Sequence, residues 1–267
     1  MPRGERFEPA SAVLWKINGP RQLGPFLCPH MPNAERSWAQ RDLNSGGMSI
    51  SHRPTTCGRV FDRFPVPPIG DVLLSDYQQR LRDHFLAAPV EPTPAPWKPL
   101  SAGRIPVGGL LGIGFAVRPD NGHDLVMVVS SNGHGLFDAV TGEKIARDYD
   151  PDTSTPDCSP DLTCPGLGPI AGTPVHIAGL FGGGLHHTTL DGWCLDIVSP
   201  DWPNDRVLLS ADGGIYKDPP GRGWWHIFHS NYSTFRAAGF SSSGFTLAVA
   251  TSSDLTIWHR SSLDIRT

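Results

Sequence analysis

No stretch of this chain reaches the roughly 18 consecutive apolar residues that a membrane-crossing helix needs. No transmembrane span is therefore expected. Charge is sparse: 18% of residues are charged, and the net charge of −4 argues against a chain dedicated to nucleic acid. Lysine is nearly missing, with 4 residues against 18 arginines, a bias that points to a GC-rich, bacterial genome. Cysteine is scarce as well. Cys28, Cys57, Cys158, Cys164 and Cys194 are odd in number and scattered, which excludes a disulfide framework. Only Cys158 and Cys164 are near neighbours, so reduced loop thiols are expected, with a zinc or disulfide clip as the alternative. The stretch "MPRGERFEPASAVLWKINGP" carries charges and prolines where a signal peptide needs an apolar centre, and the expected compartment is the cytoplasm.

Familiar catalytic signatures are missing too. The serines of "GFSSSG" do not form G-x-S-x-G, and the turn there leads to a strand and not a helix. "GGLLGIGFAV" lacks both the G-x-G-x-x-G spacing and the Lys-Ser/Thr of a phosphate-binding loop. There is no H-E-x-x-H and no calcium-binding EF-hand loop, and Gly182-Gly183-Gly184 reads as a bulge or wide turn. No cofactor is expected.

What is present is glycine and proline, 30 and 27 in 267 residues, which favours many short elements joined by turns. Residues 1–70 show no sustained periodicity and read as irregular chain that packs on something else. Residues 1–63 hold nine Lys/Arg against five Asp/Glu, so this mildly basic segment is expected to dock on a more acidic body. One helix is predicted over about 75–88. Ser75 and Gln78 have capping-box spacing, with Asp71 as the alternative cap. Leu74, Tyr77, Leu81 and Phe85 form its apolar stripe, and Pro89 stops it. "PVEPTPAPWKPL", residues 89–100, reads as an extended polyproline-type spacer. It divides an irregular N-terminal region with one helix (1–100) from a β-rich domain (101–267).

From Ser101 onward, runs rich in Val, Leu, Ile, Thr and aromatics are bounded by Gly, Pro, Asp and Asn, which predicts strands. Only 140–148 also fits a short helix. Gly114–Gly142 and Gly239–Arg260 share an order of parts: Gly-Phe, a polar turn, an apolar strand ending in two serines, a second turn, and a short strand ending in an aromatic. "GFSSSGFTLAVATSSDLTIWHR" resembles a β-propeller blade of the WD40 type. "GLFDAVTGEKIARD" is similar to the quinoprotein-type propeller motif, in which Asp138 bonds the tight bend and Gly142 takes a positive φ. The resemblance implies a mainly β, propeller-like or other multi-sheet domain of about four blades. It implies no function.

Candidate site residues are few. His186 and His187 are adjacent, and His226 and His229 lie three apart, so in regular strands each pair points to opposite faces. With Asp191 they are the residues an enzyme would use, as a hydrolase or lyase with or without metal. Asp191 and Asp196 also fit as turn and strand-end residues. "PPGRGWWHIF" sets Arg222 before Trp224 and Trp225, one of which should face outward, and exposed Trp beside Arg is the composition of an interface hot spot. The expected function is a non-enzymatic protein-binding or scaffold module in a bacterial assembly, with Arg222, Trp224 and Trp225 meeting the partner. An enzyme with a His/Asp site, or an immunity protein covering a toxin, are the alternatives.

Overall fold

The computed structural model describes residues 74–149, 161–216 and 218–261. The irregular chain expected at the N-terminus lies outside the described residues, as do Asp71, Cys28, Cys57 and Cys158. The described chain is mainly β, with several antiparallel sheets and one α-helix, α1 (Asp76–Ala87). The helix starts directly after Ser75. Phe85 is buried and Leu81 packs beside it, but Tyr77 is exposed, so the inward stripe is shorter than the sequence predicts. One side of α1, from Tyr77 to His84, lines an open cleft, and Leu81 and Phe85 rest on the sheet below.

Strands follow in short order. β1 (Lys98–Pro99) and β2 (Ile105–Pro106) precede a meander of β3 (Leu110–Val117), β4 (Asp124–Ser130), β5 (Gly133–Asp138) and β6 (Lys144–Asp148). The stretch that also fitted a helix is thus a tight turn and an edge strand. Asp138 holds that turn: its Oδ1 accepts the N–H groups of Val140 (2.9 Å) and Thr141 (3.0 Å). Gly142, at φ +76°, closes it, as the sequence leads one to expect. A small hairpin, β7 (Thr163–Pro165) and β8 (Pro174–His176), leads to β9 (Ala178–Gly179), which pairs with β3. A second meander contains β10 (Trp193–Asp201), β11 (Asn204–Ala211) and β12 (Trp224–His229). The third contains β13 (Phe235–Phe240), β14 (Thr246–Thr251) and β15 (Asp254–His259), and both β1 and β2 pair with β15.

The three meanders stack face to face, and side-chain alternation decides which strand face goes where. On β14, Ala248 and Ala250 turn toward Val126 and Val128 of β4, while Leu247 and Val249 turn toward Val207 and Leu209 of β11. The β13–β15 sheet is therefore the middle layer. Beyond it on one side, Leu125, Met127 and Val129 of β4 pack on Cys164 and Val175 of the β7–β8 hairpin. On the other side, Leu208 and Trp224 of the second meander pack under Phe85 of α1. Central strands buried on both faces read as unbroken apolar runs, such as "LVMVV" and "TLAVAT". Among the described residues the sheets close neither a barrel nor a ring of blades.

The proline-rich segment joins α1 to the sheets. Trp97, at its centre, is buried edge-on against Trp193 (6.0 Å between centroids) and tilted on Phe240 (5.4 Å). A second segment, Ile177–Thr188, runs across the edges of all three meanders. Leu180 donates its N–H to Leu111 of the first, Phe240 of the third donates to His186, and Leu195 of the second donates to His187. Gly112 and Gly239 allow this crossing, because a Cβ on either would overlap the segment, and Gly183 lets the segment turn back against its own Ile177 and Ala178.

Candidate functional site

The residues singled out from sequence fall in separate places. His186 and His187 are exposed on the crossing segment. Asp191 sits in the β-turn before β10, where its carboxylate takes both terminal nitrogens of Arg260, at 2.5 and 2.7 Å. Those bonds hold the Asp191 carboxyl far below its ordinary range. Asp196 lies within β10, and burial pushes its carboxyl up. Cys164 is buried in β7, and burial, reinforced by Asp196 and Asp212, pushes the Cys194 thiol up, away from the reactive thiolate. Among the described residues no three His, Cys, Asp or Glu side chains converge to hold a metal ion.

His226 and His229 are brought together, against the expectation from their spacing. The register of β12 against β11 slips between Val207 and Leu208, so a bulge near Ile227 returns residue 229 to the face of residue 226. Their rings lie 5.8 Å apart. His226 is 2% exposed, with Nδ1 2.9 Å from the Ala88 carbonyl and Nε2 3.1 Å from that of Phe228. Arg206 completes the group, donating Nη1 to the Phe85 carbonyl (3.0 Å) and Nε to Asp201 (3.4 Å). Cationic and N–H groups facing the last carbonyls of α1 satisfy its unpaired acceptors and oppose its dipole. This is a clamp on a helix end.

The expected Trp–Arg surface does not form as a patch. Trp224 is buried, donates Nε1 to the Asp218 carbonyl (2.9 Å) and meets Phe85 edge-on at 6.0 Å. Trp225 is partly buried against the opposite face, 6.2 Å from Trp193. Helix α1 covers the side that the sequence leaves open. Arg222 is exposed in the preceding turn. A cleft of ≈ 500 Å³ lies between α1 and this loop, lined by Tyr77, Arg80, Leu81, His84, Ile215 and Asp218 among others.

The two ends of the stacked sheets differ in chemistry. At one end lie the turns before β4, β10 and β14, and buried polar groups tie neighbouring sheets there. Asp124 Oδ2 accepts Ser241 (2.7 Å), Ser243 (2.6 Å) and Thr246 (2.8 Å), while Asp191 and Arg260 join the second and third meanders.

The other end carries the β4–β5, β10–β11 and β14–β15 turns, connected by backbone bonds from Ser131 to Gly109, Leu110 to Ser252, Ser252 to Thr234 and Ser230 to Asp205. Here the large exposed aromatics collect. Trp202 is 71% exposed at the tip of the β10–β11 hairpin. Tyr149, 79% exposed, follows β6 and is covered on one face by Arg147, 4.9 Å from its centroid. Tyr232 is stacked by Arg104 at 4.6 Å and donates its hydroxyl to Asp254 (3.2 Å). Burial, with Asp254 beside it, pushes that phenol up to about 12. Phe181 and Leu180 are exposed in the turn after β9.

Of the exposed large aromatics among the described residues, only Tyr77 lies elsewhere. Sequence reasoning passed over this end. The available signal was "PDWPN", an indole set between turn formers with no strand to bury it.

Comparison with known protein families, with characterised proteins and with solved structures finds no match.

Proposed function

We propose that this chain is a non-catalytic protein-binding or scaffold module whose partner docks on the aromatic end of the sheets. The observation that carries the reading is the gathering of Tyr149, Phe181, Trp202 and Tyr232 at one end, with Arg147 and Arg104 stacked on two of the tyrosines. Trp, Tyr and Arg dominate interface hot spots, because each offers large contact area and a polar handle at modest entropic cost. The arginines lie over the rings and are pre-ordered, which lowers the cost of fixing them on association. Rigid meanders with short turns at this end supply the scaffold. The partner belongs to a bacterial multi-protein assembly in the cytoplasm. The histidines and Asp191 that an enzymatic reading requires are spread over three separate places, two of them occupied by structural bonds.

The test is affinity purification of the full chain from its native host, with crosslinking and mass spectrometry, for the unaltered protein and for Trp202→Ala, Tyr149→Ala and Arg222→Ala. A stoichiometric partner crosslinked at residues 149, 181, 202 or 232, lost with Trp202→Ala and kept with Arg222→Ala, is the expected result. A partner retained equally by all variants, or a lone protein carrying a bound metal or small molecule, overturns the reading.

A further inference from the structure

Helix α1 is fastened to the second meander mainly through its C-terminal end. Arg206 reaches the carbonyls of Phe85 (3.0 Å) and Leu86 (3.5 Å), His226 reaches that of Ala88 (2.9 Å), and Glu91 donates its N–H to the His226 carbonyl (2.8 Å). Toward its middle, Arg82 donates to the Pro200 carbonyl (2.8 Å). Phe85, Ala88 and partly buried Leu81 are its apolar contribution to the contact. A short helix with so small an apolar footing depends on its polar fastenings.

The fastening at His226 is poised between two protonation states. Both ring nitrogens face carbonyl oxygens, yet a neutral imidazole donates from one nitrogen only, so neither tautomer satisfies both. The imidazolium would satisfy both, but it would be a buried cation beside Arg206 and beside His229, whose Nε2 has no hydrogen-bond partner among the described residues. Among the described residues the one carboxylate facing the group is Asp201, already bonded to Arg206 and 3.9 Å from His229. From the helix side Arg82 and His84 add no anion. Glu91 meets His226 through its backbone N–H.

We propose that His226 and His229 form an acid-sensitive latch: protonating the pair beside Arg206 releases α1 and the following chain through Glu91, uncovering the apolar face around Trp224. The opposing forces have a clear sign. Burial, then Arg206 and His229, hold the His226 ring below its ordinary value and outweigh the two carbonyls. Burial does the same for His229, with Arg206 adding to it and Asp201 opposing. The neutral ring thus belongs to the docked helix and the charged ring to the released one. The face uncovered holds Trp224, Leu208, Val198 and Ile215.

Hydrogen exchange followed by mass spectrometry on the full chain tests this, comparing pH 7.5 with pH 5.5 after correction for intrinsic exchange rates. Segment 76–91 is expected to lose about tenfold or more of its protection at the lower pH, while β4 and β14 keep theirs. In His226→Gln, whose amide can still donate to Ala88 but does not titrate, the loss shrinks severalfold. If that variant does not fold, the unaltered protein still decides the matter. Segment 76–91 keeping its protection at pH 5.5, or opening only together with β4 and β14, overturns the latch. An equal loss in a folded His226→Gln also overturns it.

Discussion

Arg260, at the end of β15, closes both terminal nitrogens on the carboxylate of Asp191, at 2.5 and 2.7 Å, and so bolts the last sheet to the turn that opens the second meander. Both side chains are almost wholly buried, and the guanidinium also lies 4.9 Å over the ring of Trp97. Removing either partner strands the other charge away from water. Asp191→Asn or Arg260→Met is expected to destabilise the chain by about 3–5 kcal/mol, and the double variant by less than the sum of the two. Urea denaturation of all four proteins measures this.

The same carboxylate gives an acid signature. Its folded-state value is depressed chiefly by the bonds from Arg260, so its contribution is full above the ordinary value of 3.8 and is lost as pH falls toward the folded value. Arg260→Met should flatten the stability profile below pH 3.8 relative to the unaltered protein. An unchanged profile would show that the pair contributes nothing to folding.

Four histidines act at higher pH. Burial holds His134, His226, His229 and His259 below the ordinary value of 6.5, so the unfolded chain binds more protons than the folded one as pH drops through that value. Stability is therefore expected to be fully present above 6.5 and to decline below it. Calorimetric Tm values at pH 8 and pH 5.5 should differ in that direction, and His259→Gln should narrow the gap.

Asp124 allows a comparison within one turn. Thr246 donates its hydroxyl to the buried carboxylate (2.8 Å), whereas Ser242, two residues before Gly244, is exposed. Thr246→Val keeps the shape and removes the bond, at an expected cost of about 1.5–3 kcal/mol. Ser242→Ala should lie within about 0.5 kcal/mol of neutral. Denaturation midpoints of the two variants give the answer directly.

Glycines on the crossing segment and beneath it divide in the same way. A Cβ at Gly239 would overlap Leu185, so Gly239→Ala is expected to cost about 1–3 kcal/mol. Nothing lies near a Cβ at Gly184, and Gly184→Ala should be neutral or stabilise by up to about 1 kcal/mol. Thermal melts distinguish the two.

The strands were legible because apolar runs such as "DLVMVVS" and "TLAVAT" end at turn formers, and the turn at Asp138 was legible because its bonds are local. What the chain does at a distance was not. Trp224 reads as half of an exposed pair until α1, remote in sequence, is found lying on it. The facing of His226 and His229 depends on a one-residue bulge that alternation alone does not reveal. The aromatic end was missed because Tyr149, Phe181, Trp202 and Tyr232 are dispersed along the chain, and only the sheet registers gather them.

The segment Ile177–Thr188 has a consequence for how these molecules treat one another. Unpaired strand edges template the addition of foreign chain, and a stack of short meanders presents several such edges. By laying its own backbone along β3 and β13 and beside β10, the chain occupies positions that a second copy would otherwise seek. The glycines that permit so close a crossing thus let the chain cover its own strand edges.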